Sequence, residues 1–285
     1  MILFHRFFLF KTDKSANSMS ILDAIIIAIV EGLTEFLPIS STGHMVITSA
    51  ILGIGDDDFT KLFEIVIQLG AILAVVVLYW KKFFVFDKNR IPFYIKLVLA
   101  TIPALILGFL FHHKIKDLMG SPMVVAVSLF LGGIVLLFVD NWFTNPTIDK
   151  DEKVSNFRAI RIGFFQCLAL IPGVSRSAAS IIGGMQQKLT RNAAAEFSFF
   201  LAVPTMFAAT CYDLYKSKDA LASNTGNFQL LAIGFVIAFI VALLAIKLFI
   251  GVLKRYGFRV WGVYRILVGG AILVAMYMGY NLSVA

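Results

Sequence analysis

Glu31-Gly-Leu-Thr-Glu35-Phe-Leu-Pro38-Ile-Ser-Ser-Thr-Gly-His44 is a polar, proline-broken tract set inside an otherwise apolar stretch, and its reading decides the fold. Pro38 removes a backbone donor and disfavours a helical residue before it. The carboxylates and the hydroxyl cluster that follow would be costly against lipid. Non-helical backbone at membrane depth is tolerated only where it is buried in protein or lines a cavity. Ser20 to Leu52 is therefore read as a re-entrant hairpin that enters and leaves on one side.

The membrane reading rests on composition. Of 285 residues, 59% are hydrophobic and only 15% charged, with a mean hydropathy of +0.88. A soluble domain carries about a quarter charged residues. Leu62 to Trp80, Phe93 to Phe111, Met123 to Val139, Phe197 to Tyr212, Leu230 to Ile250 and Val260 to Met278 are apolar runs near the roughly 20 residues that a bilayer core requires. The net charge of +8 reads as topology, with no nucleic-acid partner. Basic residues gather at Lys81, Lys82, Lys88 and Arg90, at Lys188 and Arg191, and at Lys254, Arg255 and Arg259. Such loops face the cytoplasm. The Gly55 to Lys61 turn carries Asp56, Asp57 and Asp58 and suits the outer face. Cys167 and Cys211 stand apart in apolar surroundings and suggest packing, not a disulfide. Residues 1–18 are read as an N-terminal extension, Met19 being an equally good start, and 19–285 as one integral membrane domain.

The chain also repeats itself. Ala24-Ile-Ile-Ile-Ala-Ile-Val-Glu31 aligns with Ala159-Ile-Arg-Ile-Gly-Phe-Phe-Gln166. After a one-residue gap Pro38-Ile-Ser-Ser41 meets Pro172-Gly-Val-Ser175, Glu64 meets Glu196, and Leu131-Gly132-Gly133 meets Val268-Gly269-Gly270. Arg158 to Gln187 becomes a second hairpin. The expected fold is an all-α polytopic membrane protein of two inverted-topology repeats, about 20–140 and 158–280, each a re-entrant helical hairpin plus three transmembrane helices. Inverted-repeat proteins place substrate sites at such broken helices.

Glu31 and Glu35 are four apart and share a helix face. Ser40, Ser41, Thr42, Gly43 and His44 add hydroxyls, a flexible glycine and an imidazole close by. The plainer reading, strongest for Ser40, is hydroxyls bonding to nearby backbone. The second tract, Pro172-Gly-Val-Ser-Arg-Ser177, supplies a cation: a guanidinium flanked by N–H and O–H donors suits a phosphate. Arg176 could equally pair with Glu31 or Glu35 and pin the hairpins together. Glu64 and Glu196 suit structural roles near helix N-termini; Lys96, Asp213 and Lys247 lie near span ends and suit snorkelling; His112 and His113 fall in a loop. Gln68 and Gln166 could bond backbone or ligand. The combination points to chemistry on a phosphorylated lipid. The carboxylates would hold a divalent cation, and Ser41 or His44 would attack or activate water. Spacing does not choose between them.

At these residues the sequence resembles the undecaprenyl-diphosphate phosphatase (bacitracin-resistance) family of bacterial membrane enzymes. The resemblance rests on Glu31 to His44, Pro172 to Ser177, Gln166-Cys-Leu-Ala and Phe199-Phe-Leu-Ala-Val-Pro-Thr205, and covers about residues 20–280. It implies hydrolysis of undecaprenyl diphosphate to the monophosphate, recycling the lipid carrier of peptidoglycan synthesis and conferring bacitracin resistance. It further implies a divalent cation, Mg2+ or Ca2+, at Glu31 and Glu35, and a bacterial inner-membrane site opening to the periplasmic face. By residue, it makes Ser41 the nucleophile, His44 and Glu35 its catalytic partners and Arg176 the phosphate-binding arginine. Ser175, Ser177, Gly173, Thr42 and Gly43 would line the phosphate. The family's second motif commonly continues Gly-x-Thr, where this chain has Ala178-Ala179-Ser180. A homodimer is one expectation. The alternative class is an inverted-repeat transporter or flippase for a polyprenyl phosphate, which would need no nucleophile.

Overall fold

Pro38 and Pro172 break the chain where their chemistry predicts. The computed structural model describes residues 19–55, 57–84, 90–119, 121–216 and 227–280; the N-terminal extension, Asp56 and Lys88 lie outside these. The first hairpin comprises α1 (Ile21–Thr34) and α2 (Ser41–Leu52), followed by α3 (Asp58–Leu78), the short α4 (Trp80–Phe84), α5 (Ile91–Leu110), α6 (His112–Met119) and α7 (Pro122–Trp142). The second comprises α8 (Asn156–Gln166) and α9 (Arg176–Gln186), followed by α10 (Arg191–Lys216), α11 (Phe228–Tyr256) and α12 (Arg259–Tyr277). Six described helices, α3, α5, α7, α10, α11 and α12, are long and apolar enough to cross a membrane. The chain is an all-α polytopic membrane protein.

The hairpin arms are different. The longest, α1, has 14 residues and rises about 21 Å, short of the roughly 30 Å hydrocarbon thickness. Ser20 opens it with a capping box, accepting from Asp23 N at 3.2 Å while Asp23 Oδ2 accepts from Ser20 N at 3.0 Å. The spans begin earlier than hydropathy suggests because polar residues cap them. Asp57 Oδ2 accepts from Thr60 N at 3.1 Å to start α3, and Thr190 Oγ1 accepts from Ala193 N at 3.3 Å at the start of α10. These caps, rather than Glu64 and Glu196, serve the helix N-termini. His112 and His113 begin α6 rather than lying in a loop.

Each half packs into the other. α1 lies along α11, the middle span of the second half, and α8 lies along α5, the middle span of the first. The helices α7 and α12 pack on each other through glycines of both, Gly133 against Gly262 and Gly269 against the Phe130 backbone. A Cβ on Gly133 would stand 2.8 Å from the Gly262 carbonyl oxygen. Leu244, Leu248 and Leu267 point outward, as lipid-facing residues do.

The basic loops meet at one end of the bundle. Lys82 Nζ reaches Asp151 Oδ1 at 2.7 Å and Glu152 Oε1 at 2.5 Å, and holds the Glu152 carboxyl below its usual range by hydrogen bonding. Arg191 Nε donates to Asp140 Oδ1 at 2.5 Å, and Phe258 N donates to Asp140 Oδ2 at 2.8 Å. Ile148 bridges Leu189. Lys96 does not snorkel: it is buried, and its Nζ donates to the Asp151 and Glu152 carbonyls at 3.2 and 2.9 Å. Lys247 is exposed, as snorkelling requires.

The glycine contact predicts a contrast. Gly133→Ala forces α7 and α12 apart and should lower stability by about 1–3 kcal/mol. Gly251→Ala, where an added Cβ meets nothing within 4 Å, should be neutral or stabilising. Thermal unfolding in detergent reads both; equal midpoints would contradict the packing.

Candidate active site

Both hairpins turn on a serine in the left-handed region. Ser40 has φ 70° and Ser175 φ 78°, conformations that cost a non-glycine residue energy and persist where the surroundings demand them. Each then caps the returning helix: Ser40 Oγ accepts from Gly43 N at 3.4 Å, and Ser175 Oγ accepts from Ala178 N at 3.2 Å. Ser40 and Ser175 are separated in sequence by the same interval as Ala24 and Ala159, so the turns correspond without the expected gap. That correction matches Ser41 with Arg176, the first residues of α2 and α9. The corresponding position holds a hydroxyl in one half and a cation in the other.

Glu35 joins them. Its Oε2 accepts from Ser41 Oγ at 2.5 Å, and its Oε1 accepts from Arg176 Nη2 at 2.9 Å. Of the two pairings open to Arg176, the structure takes Glu35. Arg176 Nη1 also donates to the Ser198 carbonyl at 3.0 Å, and its guanidinium lies 5.6 Å from the Phe36 ring centroid. Its Nε is buried with no hydrogen-bond partner among the described residues. Glu31, one helical turn before Glu35, is fully buried, and neither of its carboxylate oxygens has such a partner. Glu64, two turns into α3, faces α2 and accepts from Ser49 Oγ at 2.7 Å.

The remaining predicted residues are placed as follows. Ser177 Oγ donates to the Leu37 carbonyl at 2.7 Å, tying one turn to the other. Its single proton is thus committed, so the 3.1 Å contact with Ser175 is a donation from Ser175 to Ser177 Oγ. Gly173 has φ 89° and packs so tightly on α7 that a Cβ would lie 2.6 Å from the Val125 carbonyl oxygen. Gly43 spends its N–H on the Ser40 cap, and Thr42 is partly exposed beside it. Ser180, in the variant part of the motif, donates to the Arg176 carbonyl at 2.8 Å and lies 2.6 Å from Ser198 Oγ. Gln166, the counterpart of Glu31, donates from Nε2 to Thr205 Oγ1 at 3.3 Å. His44 is on the same turn of α2 as Ser41 but is not hydrogen-bonded to it. Its Nδ1 lies 2.7 Å from the Ser40 carbonyl oxygen and its Nε2 2.8 Å from Tyr264 Oη.

Arg265 was not singled out from the sequence and is the best-satisfied group in the site. Fully buried on α12, it donates from Nε to Leu129 O at 3.2 Å, from Nη1 to Pro38 O at 3.1 Å and Val174 O at 2.9 Å, and from Nη2 to Ser128 O at 3.0 Å and Gly173 O at 2.9 Å. Five N–H groups is the whole donor capacity of a guanidinium. The acceptors come from both hairpin turns and from α7. Gly132 makes room for it: a Cβ there would stand 2.7 Å from Arg265 Cζ. An ionisable residue in mid-span is itself a functional signal, and the apolar reading of Val260 to Met278 hid it.

The fold and site define a class: a polytopic membrane protein whose two broken hairpins meet at a buried carboxylate–serine–arginine cluster. Residues 24–271 match the family model described as bacitracin resistance protein BacA, and the chain belongs to that family. It is similar to proteins named undecaprenyl-diphosphatase from three bacteria. The protein of Flavobacterium psychrophilum is 56% identical over 268 residues, covering 93% of this chain and 99% of that one. That of Porphyromonas gingivalis is 52% identical over 284 residues, covering 93% and 100%. That of Aquifex aeolicus is 49% identical over 248 residues, covering 86% and 94%.

Removing Arg265 tests the clamp. Arg265→Met leaves buried carbonyls unsatisfied, each costing about 1–3 kcal/mol, so its thermal midpoint in detergent should fall well below that of Arg259→Met, exposed at the first residue of α12. Arg265→Lys, with three donors, should recover only part of the loss. A midpoint for Arg265→Met equal to wild type would refute the clamp.

Proposed function

We propose that this protein hydrolyses undecaprenyl diphosphate to undecaprenyl phosphate and inorganic phosphate. The observation that carries the reading is Glu35, whose two carboxylate oxygens hold the Ser41 hydroxyl from one hairpin and Arg176 from the other. Membership of a family whose relatives bear an enzyme's name favours this over the transporter alternative.

The chemistry follows from the hydrogen bonds. Ser41 Oγ attacks the terminal phosphorus while its proton passes to Glu35 Oε2, already its acceptor. The bond from that phosphorus to the bridging oxygen breaks, and undecaprenyl phosphate leaves. Arg176 turns its unpaired Nε and a planar edge to the phosphate oxygens, where fixed positive charge stabilises the transition state. Water then attacks the phosphoserine, its proton passing to His44 Nε2. Ser41 oxygen departs with the proton held on Glu35, and inorganic phosphate is released.

A divalent cation fits beside these groups. Glu31 offers two buried carboxylate oxygens without hydrogen-bond partners, and Glu35 lies one turn on. Among the described residues no cluster of three or more His, Cys, Asp or Glu could hold a metal. This matches Mg2+, which typically takes one or two carboxylates plus substrate phosphates, better than a closed Ca2+ cage. Bound there, the ion would neutralise charge on the diphosphate oxygens.

In the same reading the two halves are inverted repeats, the protein sits in the bacterial inner membrane, and the site opens to the periplasm. The support is topological. Lys82, just past the end of α3, and Arg191, at the start of α10, belong to loops joined at one end of the bundle, and that end is the basic one expected in the cytoplasm. Asp57 and Asp58 begin α3 at its other end.

Phosphate release from undecaprenyl diphosphate by purified protein in detergent with Mg2+ tests the proposal. Ser41→Ala, Glu35→Gln and Arg176→Ala should each lower kcat by about 10²–10⁴, and Glu31→Gln should raise the Mg2+ concentration required. Absence of release by wild type with any divalent cation sinks the reading; full activity of Ser41→Ala sinks the serine nucleophile.

A further inference from the structure

Tyr264 is the residue before Arg265 on α12. Successive helical residues are about 100° apart, so the clamped guanidinium points into the bundle while the Tyr264 ring stands at its edge, 38% exposed, over His44. The rings are stacked, 8° from parallel with centroids 5.6 Å apart. Tyr264 Oη is 2.8 Å from His44 Nε2.

Hydrogen-bond accounting fixes the direction of that contact. The other ring nitrogen, Nδ1, is 2.7 Å from the Ser40 carbonyl oxygen. A carbonyl only accepts, so Nδ1 carries a proton and donates. Neutral imidazole has one N–H, so Nε2 is the bare nitrogen and the Tyr264 hydroxyl donates to it. Both neighbours are rigidly held: Ser40 by its cap on Gly43 and the clamp on Pro38, Tyr264 by the anchoring of α12 through Arg265.

We propose that Tyr264 is a positioning residue for His44: its hydroxyl donates to Nε2 and, with the Ser40 carbonyl, holds the imidazole as the Nδ1–H tautomer, its one basic nitrogen turned toward α12 and not toward Ser41. The functional consequence rests on the proposed hydrolysis, in which Glu35 serves Ser41 and His44 serves the water step, the Tyr264 hydroxyl rotating its own proton off Nε2 as the water donates to it. Two separate acceptors then handle the two half-reactions, and neither competes for the other's proton. Without the hydroxyl, the imidazole is free to change tautomer and rotate, and Nε2 is correctly placed in only part of the population.

The test is nitrogen NMR of protein labelled at its histidine imidazoles, in detergent and without substrate. The chain has 4 histidines, and the signal lost in His44→Gln identifies that of His44. Wild type should show His44 with Nδ1 protonated and Nε2 as a hydrogen-bonded acceptor. In Tyr264→Phe, which keeps the ring stack, the Nε2 resonance should move toward that of a free pyridine-like nitrogen. Alongside, kcat of Tyr264→Phe should fall about tenfold with KM unchanged, the loss of one positioned hydrogen bond. A proton on Nε2 in wild type, or an Nε2 resonance unmoved by Tyr264→Phe, overturns the proposal. A wild-type protein that releases no phosphate overturns the hydrolase reading, while the spectra still decide the role of Tyr264.

Discussion

Arg265 enters the bundle from α12 without an acidic partner among the described residues, and its five N–H groups are taken by five backbone carbonyls. A buried charge is tolerated only when paired or fully hydrogen-bonded, and here the solution fixes three parts of the chain at once. Pro38 on one turn, Gly173 and Val174 on the other, and Ser128 and Leu129 on α7 cannot drift relative to each other without stranding a donor. The proline-broken turns expose carbonyls that a continuous helix would have used, and those carbonyls are what the guanidinium collects. Breaking the helices and burying the arginine are two halves of one arrangement.

With the turns so registered, the side chains beside them have little choice. Ser177 ties to the Leu37 carbonyl, Glu35 receives Arg176 and Ser41, and the left-handed serines start α2 and α9 beside each other. The correspondence of Ser41 with Arg176 makes the site asymmetric. The position at the start of the returning helix is a hydroxyl in the first half and a cation in the second. Glu31 and Gln166 differ in the same way: the carboxyl oxygens of the first have no hydrogen-bond partner among the described residues, while the second is tied to Thr205 on α10.

Hydropathy made the six spans legible, and the proline-broken polar tracts within apolar runs the two hairpins, because lipid leaves few other options for such segments. The carboxylates, Ser41, His44 and Arg176 were legible because polar residues in apolar runs stand out. Arg176 with Glu35 was one of two pairings the sequence left open, whereas Ser41 with Glu35 was not foreseen. Glu35, rather than His44, receives the Ser41 proton, a matter of where two helices place side chains and not of spacing along one. Arg265 and Tyr264 escaped because hydropathy averages over Val260 to Met278, and their partners lie 91 or more residues away in sequence. Lys96 escaped for a related reason: its carbonyl acceptors belong to a turn at Asp151 that no local pattern links to it.

The central claim is that Glu35 on one hairpin and Arg176 on the other form a single buried unit. Thermal unfolding in detergent of Glu35→Gln, Arg176→Gln and the double variant measures this most directly. Each single change strands a buried charge, so the double variant should melt no lower than Arg176→Gln alone, with a coupling of about 1–3 kcal/mol. Losses that simply add would show that the two residues do not meet, and would contradict the account.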